Sequence, residues 1–174
     1  MKLSFILSLQ SSEISLRTIM ASDCEKIRNW KNDHRFSFFF QELITPQMQG
    51  AWFSRYLERV DDHMFAVQHM SEMIGCMGFR LIDNTADIYN VILGDPEYGG
   101  KGYMSKAMVL MCSYILSIST KDIGLKVLRA NPALKWYLKN GFYEVLAHES
   151  YVDLQLDTKR FEPCKFKKTC YHLP

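Results

Sequence analysis

The chain has 174 residues, of which 48% are hydrophobic and 23% charged, with a net charge of +2. That length suits one domain with a full core, the composition is ordinary for a soluble globular chain, and the charge is too small to make nucleic acid the main partner. Five cysteines at irregular spacings point to free thiols in a reducing, cytoplasmic setting rather than a disulfide framework, and no apolar run approaches the roughly 20 residues that span a membrane.

Met1-Lys2 followed by the apolar run Leu3 to Leu9 has no small-residue cleavage signal after it and reads as an extra strand or an irregular extension. Ile14 to Arg17 alternates as a strand does. Ser22 or Asp23 caps a helix through Asn32, with Ile27 and Trp30 inward. An aromatic segment, Asp33 to Phe40, precedes Thr45-Pro46, a cap and first-turn proline for a helix with Met48, Trp52, Phe53, Tyr56 and Leu57 on one face. Met64 to His69 and Met73 to Ile82 form a hairpin, and Asp83-Asn84-Thr85 turns into a strand ending at Leu93. Beyond a glycine-rich stretch, Ala107, Met108, Met111, Ile115 and Ile118 keep helical spacing. Gly124 to Leu128 is a strand. Asn131 and Pro132 open a short helix that Gly141 ends, and Phe142 to Ala147 and Tyr151 to Leu156 close the order. The tail from Thr158 is basic and irregular, hence peripheral. Its Cys164, Cys170 and His172 match no zinc module, so no metal is expected.

The stretch Asp95-Pro96-Glu97-Tyr98-Gly99-Gly100-Lys101-Gly102-Tyr103-Met104-Ser105 lies between a strand and a helix start. Glycines allow the backbone to approach an anion, and the first helix amides point at it with the favourable end of the dipole. The residues do not fit a Walker loop, because Asp95 and Gly102 stand where a glycine and a hydroxyl are needed. Ser105 breaks the dinucleotide fingerprint.

Pro96-Glu97-Tyr98-Gly99-Gly100-Lys101-Gly102-Tyr103 resembles the pyrophosphate loop of the GNAT N-acetyltransferases, Arg/Gln-x-x-Gly-x-Gly/Ala, at positions Gly99, Gly102 and Met104. The middle glycine is kept; the first position has lost its side chain and the last has gained a large one. Asn131-Pro132-Ala133-Leu134-Lys135-Trp136-Tyr137-Leu138-Lys139-Asn140-Gly141-Phe142 resembles the family's Asn-x-x-Ala-x-x-x-Tyr-x-x-x-Gly-Phe segment, shifted by one at the alanine. Trp30-Lys31-Asn32 resembles the ribosomal-protein alanine acetyltransferases and the nucleotide-amino-sugar acetyltransferases within it.

The resemblance implies an α/β fold of mixed type, a mostly antiparallel central sheet with helices on both faces, as one domain over 1–174 with its core at about 14–156. It implies acetyl-CoA as acyl donor. The pyrophosphate would lie on the amides of Gly100, Lys101, Gly102, Tyr103, Met104 and Ser105, next to Gly99. The pantetheine arm would run beside Val91, Ile92 and Leu93, with Asn131 nearby and Tyr137 protonating the departing thiolate. The base stays open: the family's glutamate position falls on Ile88, with Asp87 one residue off and on the other face, and water, Glu42 and His34 are alternatives. Asp33, Phe38 and Glu42 are candidates for holding the acceptor. At least two of Phe36, Phe38, Phe39 and Phe40 are expected to plug the core. The expected activity is acetyl transfer to a primary amine of a small molecule, with an amino sugar as a candidate acceptor. A peptide N-terminus and a non-catalytic acyl-CoA-binding role are the alternatives. No nucleic-acid or membrane partner is expected, and the chain is a monomer or homodimer.

Overall fold

The computed structural model describes residues 2–10 and 12–171. Nine strands form one sheet: β1 (Ser4–Leu9), β2 (Ile14–Thr18), β3 (Asp62–His69), β4 (Glu72–Ile82), β5 (Thr85–Leu93), β6 (Asp122–Leu128), β7 (Phe142–Ala147), β8 (Tyr151–Leu156) and β9 (Phe166–Tyr171). Their spatial order is β7-β8-β6-β5-β4-β3-β2-β1-β9. Every neighbouring pair is antiparallel except β5 with β6. The helices are α1 (Cys24–Asp33), α2 (Pro46–Glu58), α3 (Tyr103–Ile118) and α4 (Leu134–Lys139).

Two cores sit on the two faces. One gathers Ala107, Met108, Met111 and Ile115 of α3 and Tyr137 of α4 against Leu16, Phe65, Ile74, Phe79 and Ile88. The other packs Ile27 and Trp30 of α1 and Tyr56 of α2 against Met64, Ala66, Cys76 and Ile92. β4 is buried nearly end to end because helices cover it on both sides. The expected mixed sheet with helices on both faces is what forms.

Local signals hold in part. Thr45 Oγ1 accepts from Met48 N at 3.2 Å with Pro46 in the first turn. Asp23 precedes α1, but its carboxylate takes the Met20 amide at 2.7 Å and a two-pronged bond from Arg17 at 2.9 Å, holding the β2–α1 corner rather than capping the helix. On α2, Tyr56 is buried and Trp52 and Phe53 partly so, while Met48 and Leu57 face outward. Asn131 closes a turn onto Ala133 N at 2.8 Å, and the helix begins two residues after Pro132, at Leu134.

The irregular tail is corrected. Phe166–Tyr171 is a strand that pairs with β1 from Ser4↔Tyr171 to Leu9↔Phe166. Its lysines hid it, yet both of its faces make contacts. Lys168 lays its ammonium over the rings of Phe5 and Tyr114, and the Tyr171 hydroxyl lies 3.2 Å from Thr18 Oγ1. The run before Ile14 is the expected extra strand, with Phe5 and Leu7 fully in the core. His172 lies outside the described residues.

Candidate active site

The site begins as a defect in the sheet. β5 and β6 pair only at Thr85↔Asp122, Ala86↔Ile123 and Asp87↔Gly124, then diverge. Past that point Ile88 to Leu93 and Leu125 to Leu128 have ladder partners on one side only, so their inner backbone groups face a gap. β5 also carries a bulge. Gly78 pairs with Tyr89 but Cys76 with Ile92, so three steps on β5 match two on β4. Asn90 absorbs the extra residue at φ +50. The insertion reverses the alternation: Ile88 and Val91 pack toward the α3 core, Tyr89 and Ile92 toward the α1 and α2 core.

Two cavities meet at this gap, and Val91 lines both. The smaller, about 390 Å³, is walled by Val91, Leu93, Gly99, Gly100, Met104 and Trp136, with Gly102, Tyr103 and Ser105 also on its surface. Gly100 and Gly102 have φ of +69 and +77, a conformation that side chains other than glycine seldom adopt. A Cβ built on either meets nothing within 4 Å, so the loop is open to an approaching group. The amides that begin α3 have no carbonyl within the helix. A phosphate fits this cradle. At Gly99 a Cβ would stand 3.0 Å from Pro96 O, which leaves little room for a side chain there. Met104 points inward: its sulfur is 3.2 Å from where a Gly75 Cβ would be, and it packs on the α3 core. It fills a hole left by a glycine in β4 while also forming part of the cavity wall. Trp136 Nε1 donates to Ser105 Oγ at 3.1 Å, tying α4 to the first turn of α3.

The larger cavity, about 840 Å³, is lined by Phe38, Phe39, Phe40, Tyr89, Val127 and Tyr137 among others, with Lys31, Arg59, Arg80, Lys126, Asp83 and Asp87 as its charged residues. Tyr137 is 6% exposed, with its ring against Trp136 and Phe142. Burial pushes its phenol well above the ordinary tyrosine value, so the group stays protonated and able to donate. Asn131 also lines this cavity, but both ends of its amide are committed, to Ser37 O at 3.0 Å and to Ala133 N at 2.8 Å. Its side chain is a brace between the aromatic segment and α4.

Not every expected residue reaches the site. Val91 and Leu93 do, whereas Ile92 is buried on the opposite face of β5, because the bulge turns it there. Lys101 is exposed, its ammonium over the Tyr98 ring. Phe38 lines the acceptor cavity; Asp33 and Glu42 are exposed and line neither cavity. Ile88 and Asp87 both line the larger cavity, but Ile88 is an apolar residue packed in the α3 core, and Asp87 accepts from Arg80 at 2.6 Å. Of the four phenylalanines only Phe38 packs on a core; Phe36, Phe39 and Phe40 are exposed. The expectation that at least two plug the core is corrected.

The Trp30-Lys31-Asn32 motif resolves into three contacts. Gly94 leaves space for the Trp30 ring, whose atoms stand 2.0 Å from where a Cβ would be. Lys31 Nζ donates to Asn90 Oδ1 at 2.6 Å and so pins the bulge. The Asn32 amide exchanges two bonds with the backbone of Ile44, at 2.8 and 3.0 Å, holding the aromatic segment over the cavity. Burial lowers the Lys31 pKa, and Lys31 has no carboxylate partner among the described residues. Sequence reasoning missed Tyr89, whose hydroxyl is bonded to Asp62. A β5 tyrosine between Ile88 and Asn90 was the available signal, but its orientation depends on the bulge.

The model of the acetyltransferase (GNAT) domain matches residues 13–142. Solved structures of the same fold include a domain from Methanocaldococcus jannaschii (TM-score 0.73, 16% identity, 84% of this chain and 99% of that one). Another is the spermidine N-acetyltransferase of Vibrio cholerae with CoA and spermine (TM-score 0.67, 20% identity, 91% and 95%). A third is apo FdhC, a nucleotide-linked sugar GNAT (TM-score 0.73, 15% identity, 88% and 91%). No curated protein matches the sequence. With its match over residues 13–142 and its glycine cradle beside a split sheet, the chain belongs to the GNAT acetyltransferases, enzymes that take acetyl-CoA as acyl donor.

Proposed function

We propose that the chain transfers an acetyl group from acetyl-CoA to the primary amine of a small molecule, an amino sugar, with the nucleotide-linked form as the best fit. The observation that carries this reading is the lining of the larger cavity: exposed Phe39 and Phe40 beside Lys31, Arg59, Arg80 and Lys126, against Asp83 and Asp87. Exposed aromatic faces suit a flat or ring-shaped group. The excess of cations over carboxylates suits a phosphate-bearing acceptor and repels a polyamine. A cavity of about 840 Å³ lies in the range that encloses a small ligand.

In this reading the donor's phosphates rest on the amides from Gly100 to Ser105, and its arm lies in the gap beside Val91. Tyr137 gives its proton to the departing sulfur as the carbon–sulfur bond breaks. The test is thiol release from acetyl-CoA with a panel of amines: a UDP-linked amino sugar, free glucosamine, an alanine-terminated peptide and spermidine. Highest kcat/KM on the UDP-linked sugar is expected. A preference for spermidine would overturn the charge argument, and a preference for the peptide would transfer the acceptor to a protein N-terminus.

A further inference from the structure

Acyl transfer to an amine needs a group that takes the amine proton, and the carboxylates nearest the sequence expectation do not serve. Asp87 is engaged by Arg80 at 2.6 Å, and Asp33 and Glu42 stand outside the cavity. The cavity wall offers a different group. Tyr89 precedes the bulge by one residue, lines the larger cavity together with Val91 and Tyr137, and donates its hydroxyl to Asp62 Oδ1 at 2.5 Å. Asp62, at the start of β3, is 2% exposed; its other oxygen accepts from Arg59 Nη1 at 3.3 Å.

We propose that Tyr89 takes the proton of the acceptor amine and passes its own proton to Asp62, so that a buried carboxylate serves as base through a phenol. The proposal rests on the transferase reading above. A hydroxyl has one proton and two lone pairs. Here the proton is spent on Asp62, and Tyr89 Oη makes no other hydrogen bond among the described residues. What remains is an acceptor, strengthened by the negative charge behind it. Arg80 lies over the ring, 4.6 Å from its centroid, and fixes its plane. Burial and the Asp62 charge push the Tyr89 phenol well above its ordinary value. The phenol therefore does not ionise by itself and must relay.

The step balances as follows. The amine lone pair forms the C–N bond to the acetyl carbon, and the C–S bond breaks. The nitrogen becomes acidic as it gains its fourth bond, and its proton moves to Tyr89 Oη while the Tyr89 proton moves to Asp62. The sulfur keeps the electron pair and takes the Tyr137 proton. Asp62 returns its proton through Tyr89 to water, and Tyr137 is reprotonated from water.

Tyr89 is the catalytic residue and Asp62 the positioning residue behind it. The test uses Tyr89→Phe, Asp62→Asn and the double variant of the full chain. The probe is whichever of UDP-linked amino sugar, glucosamine, alanine-terminated peptide and spermidine releases most thiol with the wild type. Tyr89→Phe should lower kcat by roughly 10²-fold, the usual worth of a positioned proton acceptor. The Kd for acetyl-CoA by calorimetry and the KM for the probe should stay within about threefold, since the loss belongs to the transition state. The double variant should be no slower than the slower single variant, because the two groups act as one unit. The solvent deuterium isotope effect on kcat should fall in each variant. Wild-type kcat in Tyr89→Phe overturns the relay, and so do additive losses in the double variant. If Asp62→Asn does not fold, Tyr89→Phe decides alone. A wild type that binds acetyl-CoA yet acetylates none of the four amines overturns the transferase reading and the relay with it.

Discussion

Tyr137→Phe tests whether the phenol gives its proton to the departing sulfur. The ring is 6% exposed and wedged between Trp136, at 5.1 Å between centroids, and Phe142, at 5.9 Å. Phenylalanine keeps both contacts. The hydroxyl has no hydrogen-bond partner among the described residues, so removing it should change stability by less than about 1 kcal/mol. Its loss from the transition state should slow turnover by roughly 10²-fold or more, about 2.7 kcal/mol of barrier at 1.36 per tenfold. The sign of the pH effect also follows. Burial raises the folded-state pKa of Tyr137 above its unfolded value near 10, so the phenol is protonated across the working range and should contribute no alkaline limb to the rate profile below about pH 10. The stability tied to that neutral form is complete below the unfolded pKa and is lost as pH rises toward the folded one. The assay is single-turnover thiol release at saturating acetyl-CoA, with calorimetric Kd and thermal unfolding as controls. Wild-type single-turnover rates in the Phe variant would refute the acid role. A loss of kcat matched by a large loss of stability would refute the claim that the hydroxyl is free of structural duty.

Gly102→Ala should cost roughly 1 kcal/mol because its φ is +77, and should weaken acetyl-CoA binding by calorimetry more than Lys101→Ala does, since Lys101 points to solvent. Met104→Ala should lower stability by roughly 2 kcal/mol through the space opened against Gly75 without tightening acetyl-CoA binding; a tighter complex would mean that the side chain crowds the phosphate after all. His63 stacks on Phe79 and is held by burial at a pKa of about 4. Its stabilisation is therefore present above the unfolded value near 6.5 and is lost as pH falls toward 4, at most about 3 kcal/mol; urea midpoints at pH 7 and 4.5 should converge in His63→Phe. Removing residues 165–174 should lower the melting temperature by several degrees, because β9 covers the edge of β1 and Lys168 lies on Phe5 and Tyr114.

The order of elements from β2 to β8 was readable because each carries its own punctuation: Thr45-Pro46 for α2, the turn at Asp83 to Thr85, Gly141 after α4. β9 was not. Its lysines sit on a strand whose partner is more than 150 residues away in the chain, and no local pattern reports such a pairing. Loop motifs likewise placed Gly100, Gly102, Tyr103 and Ser105 on one cavity and Tyr137 on the next, because backbone geometry there is local. The face of each β5 residue was lost for a reason visible in one residue. Counting back from Ile92 along an ideal strand puts Ile88 on the same face, but Asn90 adds a step, and Tyr89 takes that face instead. Asp33 and Glu42 were chosen by charge and proximity in sequence, which says nothing about which way a loop folds.

The divergence of β5 from β6 has a mechanical consequence. Six strands, from β9 through β1 to β5, form one slab, and β6 to β8 form another; only Thr85 to Asp87 and Asp122 to Gly124 weld them by ladder pairing. Stiffness in a sheet comes from its ladder bonds, so this plate is weakest along an interior seam rather than at its rim. The weld lies at the end of the seam away from the glycine loop, and elsewhere the two slabs are joined through the core they share under α3. Any flexing about the weld would change the width of the seam. A molecule lying in the seam and bonding to both inner edges would turn two plates into one, and amide exchange would report that stiffening from the middle of the sheet outward.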